Sequence, residues 1–216
     1  MGPVQELALF PLEETVVFPG MTIPLLIFEE RYKKMIRDHV DQNRRRFVIT
    51  LIKPSAKISD SQIPIYNVGS FADILSVSEN PDGTFNILAH GQGRCKITTT
   101  RSETVAEKGG KTSDLLFAEE TEYPLARSDP SLEQVAAWDT LETFREYAST
   151  FFAPEALEQV EQALPDDLVY QASFICANIR VPAVSRQVML EAPSLVERFQ
   201  VSQKLMQERL AAGKSE

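Results

Sequence analysis

The residue types that most often carry catalysis or ligate metals are scarce in this chain. Among its 216 residues are two histidines, His39 and His90, and two cysteines, Cys95 and Cys176. The two cysteines lie far apart in sequence, and so do the two histidines, whereas zinc ligands come in closely spaced pairs. We therefore predict no metal site and no disulfide, and expect both thiols to lie buried in a protein of the reducing cytoplasm.

Two glycine-containing segments match nucleotide-binding loops only in part. Gly110-Lys111-Thr112 ends like a phosphate-binding loop, but Val105 stands where that loop needs its first glycine. Gly91-Gln92-Gly93 begins like a dinucleotide-binding loop, but Lys96 stands where the third glycine is required. We predict no cofactor and no catalytic residue. We interpret Gly91 and Gly93 as relieving crowding at a bend in a strand.

A basic segment is the one strong charge feature. Seven bases and two acids lie between residues 31 and 46, a local net charge of +5. The candidate contacts to an anion such as RNA are Arg31, Lys34, Arg44, Arg45 and Arg46. The whole chain has a net charge of -9, which argues against bulk binding to nucleic acid or anionic lipid. Tyr32 is the one Phe, Tyr or Trp in this segment, and it fits the apolar face of the predicted helix, so aromatic rings are not interleaved with the bases as a stacking platform requires. We therefore favour the solvent-facing side of an amphipathic helix and the turn after it.

The elements that must position these residues change in type near residue 124. Before that point, short apolar and β-branched segments separated by Pro and Gly predict a small barrel or sandwich. Asn80-Pro81-Asp82-Gly83 is typical of a turn, so residues 69–79 and 84–97 are expected to pair as an antiparallel hairpin. Residues 29–40 have the apolar spacing of one short amphipathic helix.

Loops and helices account for the rest. Residues 53–67 and 101–113 are expected to be loops. After residue 124, Asp129 is placed to cap a helix that begins at Pro130, and Ser194 with Glu197 forms a capping box for the last helix. One apolar stripe is predicted for the first of these helices: Val135, Trp138, Leu141, Phe144, Ala148 and Phe151. We therefore divide the chain into a β domain, residues 1–123, and a helical domain, residues 124–216.

Several short motifs together carry a family resemblance. Leu9-Phe10-Pro11-Leu12, then Thr15 to Met21, then Ile23-Pro24-Leu25 resemble the opening of the Lon protease N-terminal domain. The later segments that fit are Glu29 to Tyr32, Gly69 to Leu75, Pro81 to Gly83, Asn86 to Gly91, and the helical part from Asp166 to Asn178 onward. The resemblance covers nearly the whole chain and implies an α+β fold: a PUA-like β pseudo-barrel with one short helix, followed by a C-terminal α-helical bundle.

The resemblance also implies a function. A complete Lon protease has an ATPase module and a Ser-Lys peptidase module, and this sequence has neither, so it is similar to the stand-alone bacterial Lon-domain proteins. We expect a non-catalytic, cytoplasmic module without cofactors that binds unfolded or apolar polypeptide or acts as an adaptor in ATP-dependent proteolysis. The expected partner besides the bound polypeptide is an ATP-dependent protease or chaperone, and no membrane contact is expected. A PUA-like RNA-binding protein that uses residues 31–46 is the alternative.

The turn that contains Phe18, Pro19 and Met21 is the candidate polypeptide-binding site. Methionine adapts to varied partners, and a chain reversal presents such side chains to solvent. Plain core packing is the alternative for Phe18 and for Met21, and the cleft between the two domains is the alternative site.

Overall fold

The structure, a computed structural model, describes residues 6–213 apart from residue 43, residues 55–62 and residue 108. The chain divides into two compact units, Met1–Pro124 and Leu125–Glu216. The first contains six strands and one helix: β1 (Leu7–Leu12), β2 (Thr22–Ile27), α1 (Glu30–Asp41), β3 (Arg46–Leu51), β4 (Val68–Glu79), β5 (Phe85–Ala106) and β6 (Thr112–Glu122). The second contains five helices: α2 (Pro130–Ser149), α3 (Pro154–Gln162), α4 (Leu168–Asn178), α5 (Ala183–Glu191) and α6 (Leu195–Gly213). The predicted α+β class is confirmed.

The six strands form one sheet that closes on itself. Its order is β2-β5-β4-β3-β1-β6, and β6 pairs with β5 as well as with β1. Only β1 and β3 are parallel. Five strands therefore form a closed ring, and β2 lies outside it, paired with the first part of β5. Apolar side chains from the ring and from α1, including Phe10, Met35, Ile36 and Phe47, form its core.

The β4–β5 hairpin and α1 confirm the sequence predictions. Gly83 has a φ of 78°, which glycine adopts without strain, and Asn80 N–H donates to the carbonyl of Thr84 at 2.8 Å. The loop predicted over residues 101–113 is wrong, because β5 extends to Ala106 and pairs with β6 from Thr112. Arg101 and Lys111 of this segment are exposed, while Val105 is buried. Part of the other predicted loop, residues 55–62, lies outside the described residues.

The helical unit confirms the predicted helix starts but not the predicted helix face. Asp129 accepts a hydrogen bond from Ser131 N–H at 2.9 Å, and Glu197 N–H donates to the hydroxyl of Ser194 at 3.1 Å. The stripe predicted for α2 is wrong in part, because Val135 and Trp138 are exposed. The buried side of that helix is formed by Glu133, Ala137, Thr140, Phe144, Tyr147 and Ala148.

Candidate functional site

The turn over Phe18–Met21 is a structural element, and this corrects the predicted site. Met21 N–H donates to the carbonyl of Phe18 at 3.0 Å, with Pro19 and Gly20 between them and a φ of 84° at Gly20. Such a turn is type II, which requires a positive φ at its third residue. Phe18 and Pro19 are buried, so neither offers a surface to a partner. Met21 is half-buried and packs against the core of the ring.

This turn is held tightly against β5. Gly20 N–H donates to the carbonyl of Gly91, and Gly91 N–H donates to the carbonyl of Met21, both at 2.8 Å. A Cβ atom at Gly91 would lie only 2.4 Å from the carbonyl oxygen of Phe18. Gly91 therefore has the crowding that the sequence predicts, whereas a Cβ atom at Gly93 would meet no described atom within 4 Å. The turn fixes where β2 begins.

β2 is an edge strand of the sheet. In the described part of the chain it pairs only with β5. Because Gly91 donates to Met21, the alternation of antiparallel pairs directs the backbone groups of Thr22, Pro24 and Leu26 away from β5. Pro24 fits this direction, since proline has no N–H to donate to a neighbouring strand. The outer edge of β2 therefore carries backbone groups that a further extended chain can reach.

A groove with mainly apolar walls runs beside this strand, and we call it the edge-strand groove. Its volume is about 400 Å³. It is lined by Phe10, Pro11, Leu12 and Glu13 of β1 and its end, Leu25 to Glu29, Arg31, Tyr32, Ile52 and Ile63. Leu26 and Phe28 are the most open of its apolar side chains, with 56% and 64% of their surface exposed.

Three charged residues line the groove: Glu29 and Arg31 are paired with each other, and Glu13 is exposed. The guanidinium of Arg31 donates to the carboxylate of Glu29 at 2.7 Å and to the carbonyl of Asp114 at 3.2 Å. Its central carbon lies 4.7 Å from the ring centre of Tyr32. The ring centres of Tyr32 and Phe10 are 4.4 Å apart, with the two rings tilted by 53°. Burial raises the pKa of Tyr32 to about 12, so its phenol remains neutral. The groove can therefore hold apolar side chains, and it presents no arrangement of groups for proton transfer among the described residues.

The five candidate anion contacts do not form one free basic surface. Arg31 is paired with Glu29; Lys34 contacts Asp38 at 2.6 Å and Glu103 at 3.2 Å; Arg46 contacts Asp73 at 2.8 Å. Arg44 and Arg45 are exposed, and neither forms an ion pair with another described residue. Three of the five cations are thus already neutralised, which disfavours the RNA alternative.

The histidines and cysteines have structural surroundings. Both ring nitrogens of His39 lie within hydrogen-bond distance of backbone carbonyls, 2.8 Å from Met35 O and 3.0 Å from Arg46 O. Cys95 and Cys176 are buried and unbonded to each other, and burial raises the pKa of both thiols to about 12. Within residues 6–213, as far as they are described, no three metal-ligating side chains come together. None of the helices described is long and apolar enough to cross a membrane.

Sequence reasoning missed Leu26 and Phe28, although one signal pointed to them. A proline inside an apolar strand pattern, here Pro24, indicates an edge strand. An edge strand leaves one row of backbone groups unpaired and its outward side chains open, which is where this groove lies.

Comparison with known proteins assigns the chain to a family. Residues 6–208 match the family model of the ATP-dependent protease La (LON) substrate-binding domain. The Lon proteases of Xanthomonas oryzae pv. oryzae and Vibrio parahaemolyticus are 26% and 25% identical to it, over 92% and 90% of this chain. The chain spans 22% and 24% of the length of these two relatives, about a quarter in each case.

Solved structures show the same fold. The N-terminal domain of Mycobacterium avium complex Lon protease has a TM-score of 0.67 and 18% identity, over 94% of this chain and 98% of that one. The Lon N-terminal domain protein from Xanthomonas campestris has a TM-score of 0.59 and 19% identity, over 97% and 98%. The resemblance found in the sequence is confirmed: this chain belongs to the family of LON substrate-binding domains.

Proposed function

We propose that this chain is a non-catalytic module that binds extended, apolar segments of unfolded polypeptides in the edge-strand groove. The observation that carries the proposal is the position of that groove, which places apolar side chains next to the outer edge of β2. A peptide in the groove would contact Leu26 and Phe28 with its side chains. Its backbone could pair with the outward groups of Thr22 and Leu26, as in other cases of strand addition.

Pro24 limits how such a segment pairs. A strand with proline at its edge resists pairing along its full length, because one backbone donor is missing. Pairing at Thr22 and Leu26 alone gives few hydrogen bonds, so most of the affinity must come from apolar contact. This combination favours weak binding with little dependence on the client's sequence, which suits capture of many different unfolded chains.

The family suggests the context of this binding. The matching family is named for substrate binding, and the relatives are named Lon protease. We propose that the captured segments are clients of ATP-dependent proteolysis, and that the chain acts as an adaptor that holds such clients for a protease of this type.

Removal of the two open apolar side chains tests the groove. Full burial of a Leu or Phe side chain contributes about 1.5–3 kcal/mol. Leu26 and Phe28 have 56% and 64% of their surface left to bury. Their combined contribution to binding is therefore about 2–4 kcal/mol, and the double variant Leu26→Ser/Phe28→Ser should bind about thirtyfold more weakly or worse. The measurement is fluorescence anisotropy with a labelled extended peptide rich in leucine and phenylalanine.

The chain offers a closely matched control. Leu132 and Trp138 on α2 are 61% and 64% exposed, so Leu132→Ser/Trp138→Ser removes similar side chains with similar exposure from another surface. This control should bind the peptide as the unmodified chain does. An equal loss of peptide affinity in both double variants, or no loss of affinity in Leu26→Ser/Phe28→Ser, would contradict the proposed site.

A further inference from the structure

A second surface combines apolar side chains with unpaired arginines, and we call it the arginine-rimmed surface. It consists of Val40 at the end of α1, Arg44 and Arg45 in the following connection, and Leu75 and Val77 on β4. All five residues are exposed. Together with His39, Ile74 and Ser76 they line a depression of about 240 Å³. The edge-strand groove shares none of these residues.

The depression lies beside an open stretch of β4. The pairing of β3 with β4 begins at Arg46, opposite Asp73, and Ile74 N–H donates to the carbonyl of Arg45 at 2.8 Å. From Ser76 to Glu79, β4 pairs only with β5 in the described part of the chain. The β4–β5 pairing has a bulge between Ile74 and Ser76, so Leu75 is the extra residue there, close to Asp73, where the pairing with β3 ends. No described strand pairs with the other edge of β4 over these residues, so an extended segment could lie beside it.

The charges select what kind of segment fits. The neighbouring cations Lys34 and Arg46 are engaged by carboxylates of this chain, whereas Arg44 and Arg45 have no such partner among the described residues. A carboxylate brought to these two arginines would be attracted without first displacing an existing ion pair. The apolar part of the surface requires apolar side chains next to those carboxylates.

We propose that the arginine-rimmed surface binds an extended polypeptide segment in which apolar residues alternate with acidic ones. Alternation is the pattern that suits a strand, because successive side chains point to opposite sides. A single-stranded nucleic acid fits the surface less well, because it needs exposed aromatic rings for stacking. Phe71, which contacts Arg46, and Phe85, which contacts Arg37, are both buried.

A charge-swap experiment tests this proposal. The probe is a fluorescein-labelled peptide of alternating valine and glutamate, and the comparison peptide has lysine in place of glutamate. The unmodified chain should bind the valine–glutamate peptide, with affinity that falls as salt is raised. Arg44→Glu/Arg45→Glu should weaken this binding about tenfold or more and should bind the valine–lysine peptide better than the unmodified chain does.

Three further variants separate charge from apolar contact and from folding. Lys96→Glu/Lys111→Glu makes the same change in net charge at two other exposed positions and should alter the affinity less than about threefold. Leu75→Thr/Val77→Thr keeps residues suited to a strand and should lower the affinity for both peptides several-fold. Arg44→Gln/Arg45→Gln, whose fold is checked by circular dichroism, should lose most of the preference for the acidic peptide.

Four results would overturn the proposal. The first is the absence of saturable binding of the valine–glutamate peptide. The second is a loss of affinity in Lys96→Glu/Lys111→Glu equal to that in Arg44→Glu/Arg45→Glu. The third is tighter binding of a single-stranded RNA that displaces the peptide. The fourth is a dimer that forms with rising concentration and is lost on Arg44→Glu/Arg45→Glu, which would assign the surface to a second copy of this chain.

Discussion

Replacing Gly91 by alanine tests whether the Phe18–Met21 turn holds the edge strand in place. The added Cβ would lie 2.4 Å from the carbonyl oxygen of Phe18 and 3.0 Å from Cγ1 of Val17. Comfortable contacts of carbon begin at roughly 3.5 Å, so the turn would have to move by about 1 Å. The neighbouring atom is backbone, which cannot rotate out of the way as a side chain does.

The magnitude follows from what that movement breaks. Two backbone hydrogen bonds join the turn to Gly91, each 2.8 Å long, and each contributes about 1 kcal/mol net. Overpacking a filled site costs about 1–3 kcal/mol by itself. Gly91→Ala should therefore lower the free energy of unfolding by about 3–5 kcal/mol, and it should weaken binding of the apolar peptide because β2 is displaced.

Urea unfolding monitored by circular dichroism measures the loss of stability in Gly91→Ala, and Gly93→Ala is the matched control. A Cβ at Gly93 has no described atom within 4 Å, so the same substitution two residues later on β5 should change stability by less than about 0.5 kcal/mol. If the two variants were equally stable, or if Gly91→Ala bound the apolar peptide normally, the turn would not be what positions β2.

Two further predictions concern a carboxylate of α2 and the turn itself. Hydrogen bonds from Arg127 and Ser128 hold the pKa of buried Glu133 at about 2, below its ordinary value of 4.5. The stability that the ionised Glu133 carboxylate contributes is therefore present above pH 4.5 and is lost as the pH falls towards 2. Glu133→Gln should lower the free energy of unfolding by about 1–3 kcal/mol at neutral pH and should remove this dependence on acid. Glu142→Gln, on the exposed side of α2, should change neither the stability nor its pH dependence. Met21→Asp should lower the unfolding midpoint in a thermal melt, because Met21 packs against the core, while Met21→Leu should leave it nearly unchanged.

Local sequence signals predicted the elements whose structure is decided locally. The turn residues Asn80 to Gly83 determine the β4–β5 hairpin, and the caps Asp129 and Ser194 satisfy backbone donors within their own helix starts. Such features depend on residues a few positions apart. The sequence therefore contains all the information that they need.

Features decided by distant partners were not predictable in the same way. Val135 and Trp138 belong to an apolar stripe by spacing, yet the core side of α2 includes Glu133, which can be buried because Arg127 pairs with it. Likewise, the apolar turn at Phe18 looks available in the sequence, but it lies against Gly91, more than 70 residues away, and Phe18 is buried. The groove depends on which strand lies at the edge of the sheet, and strand order is a long-range property.

Binding at the outer edge of β2 is the central claim, and amide chemical-shift mapping by NMR tests it most directly. Titration of the isotopically labelled chain with the leucine- and phenylalanine-rich peptide should shift the amides of Thr22, Leu26 and Phe28 most, and slow the hydrogen exchange of Leu26. Shifts confined to α2 or to the arginine-rimmed surface, with β2 unchanged at saturation, would contradict it.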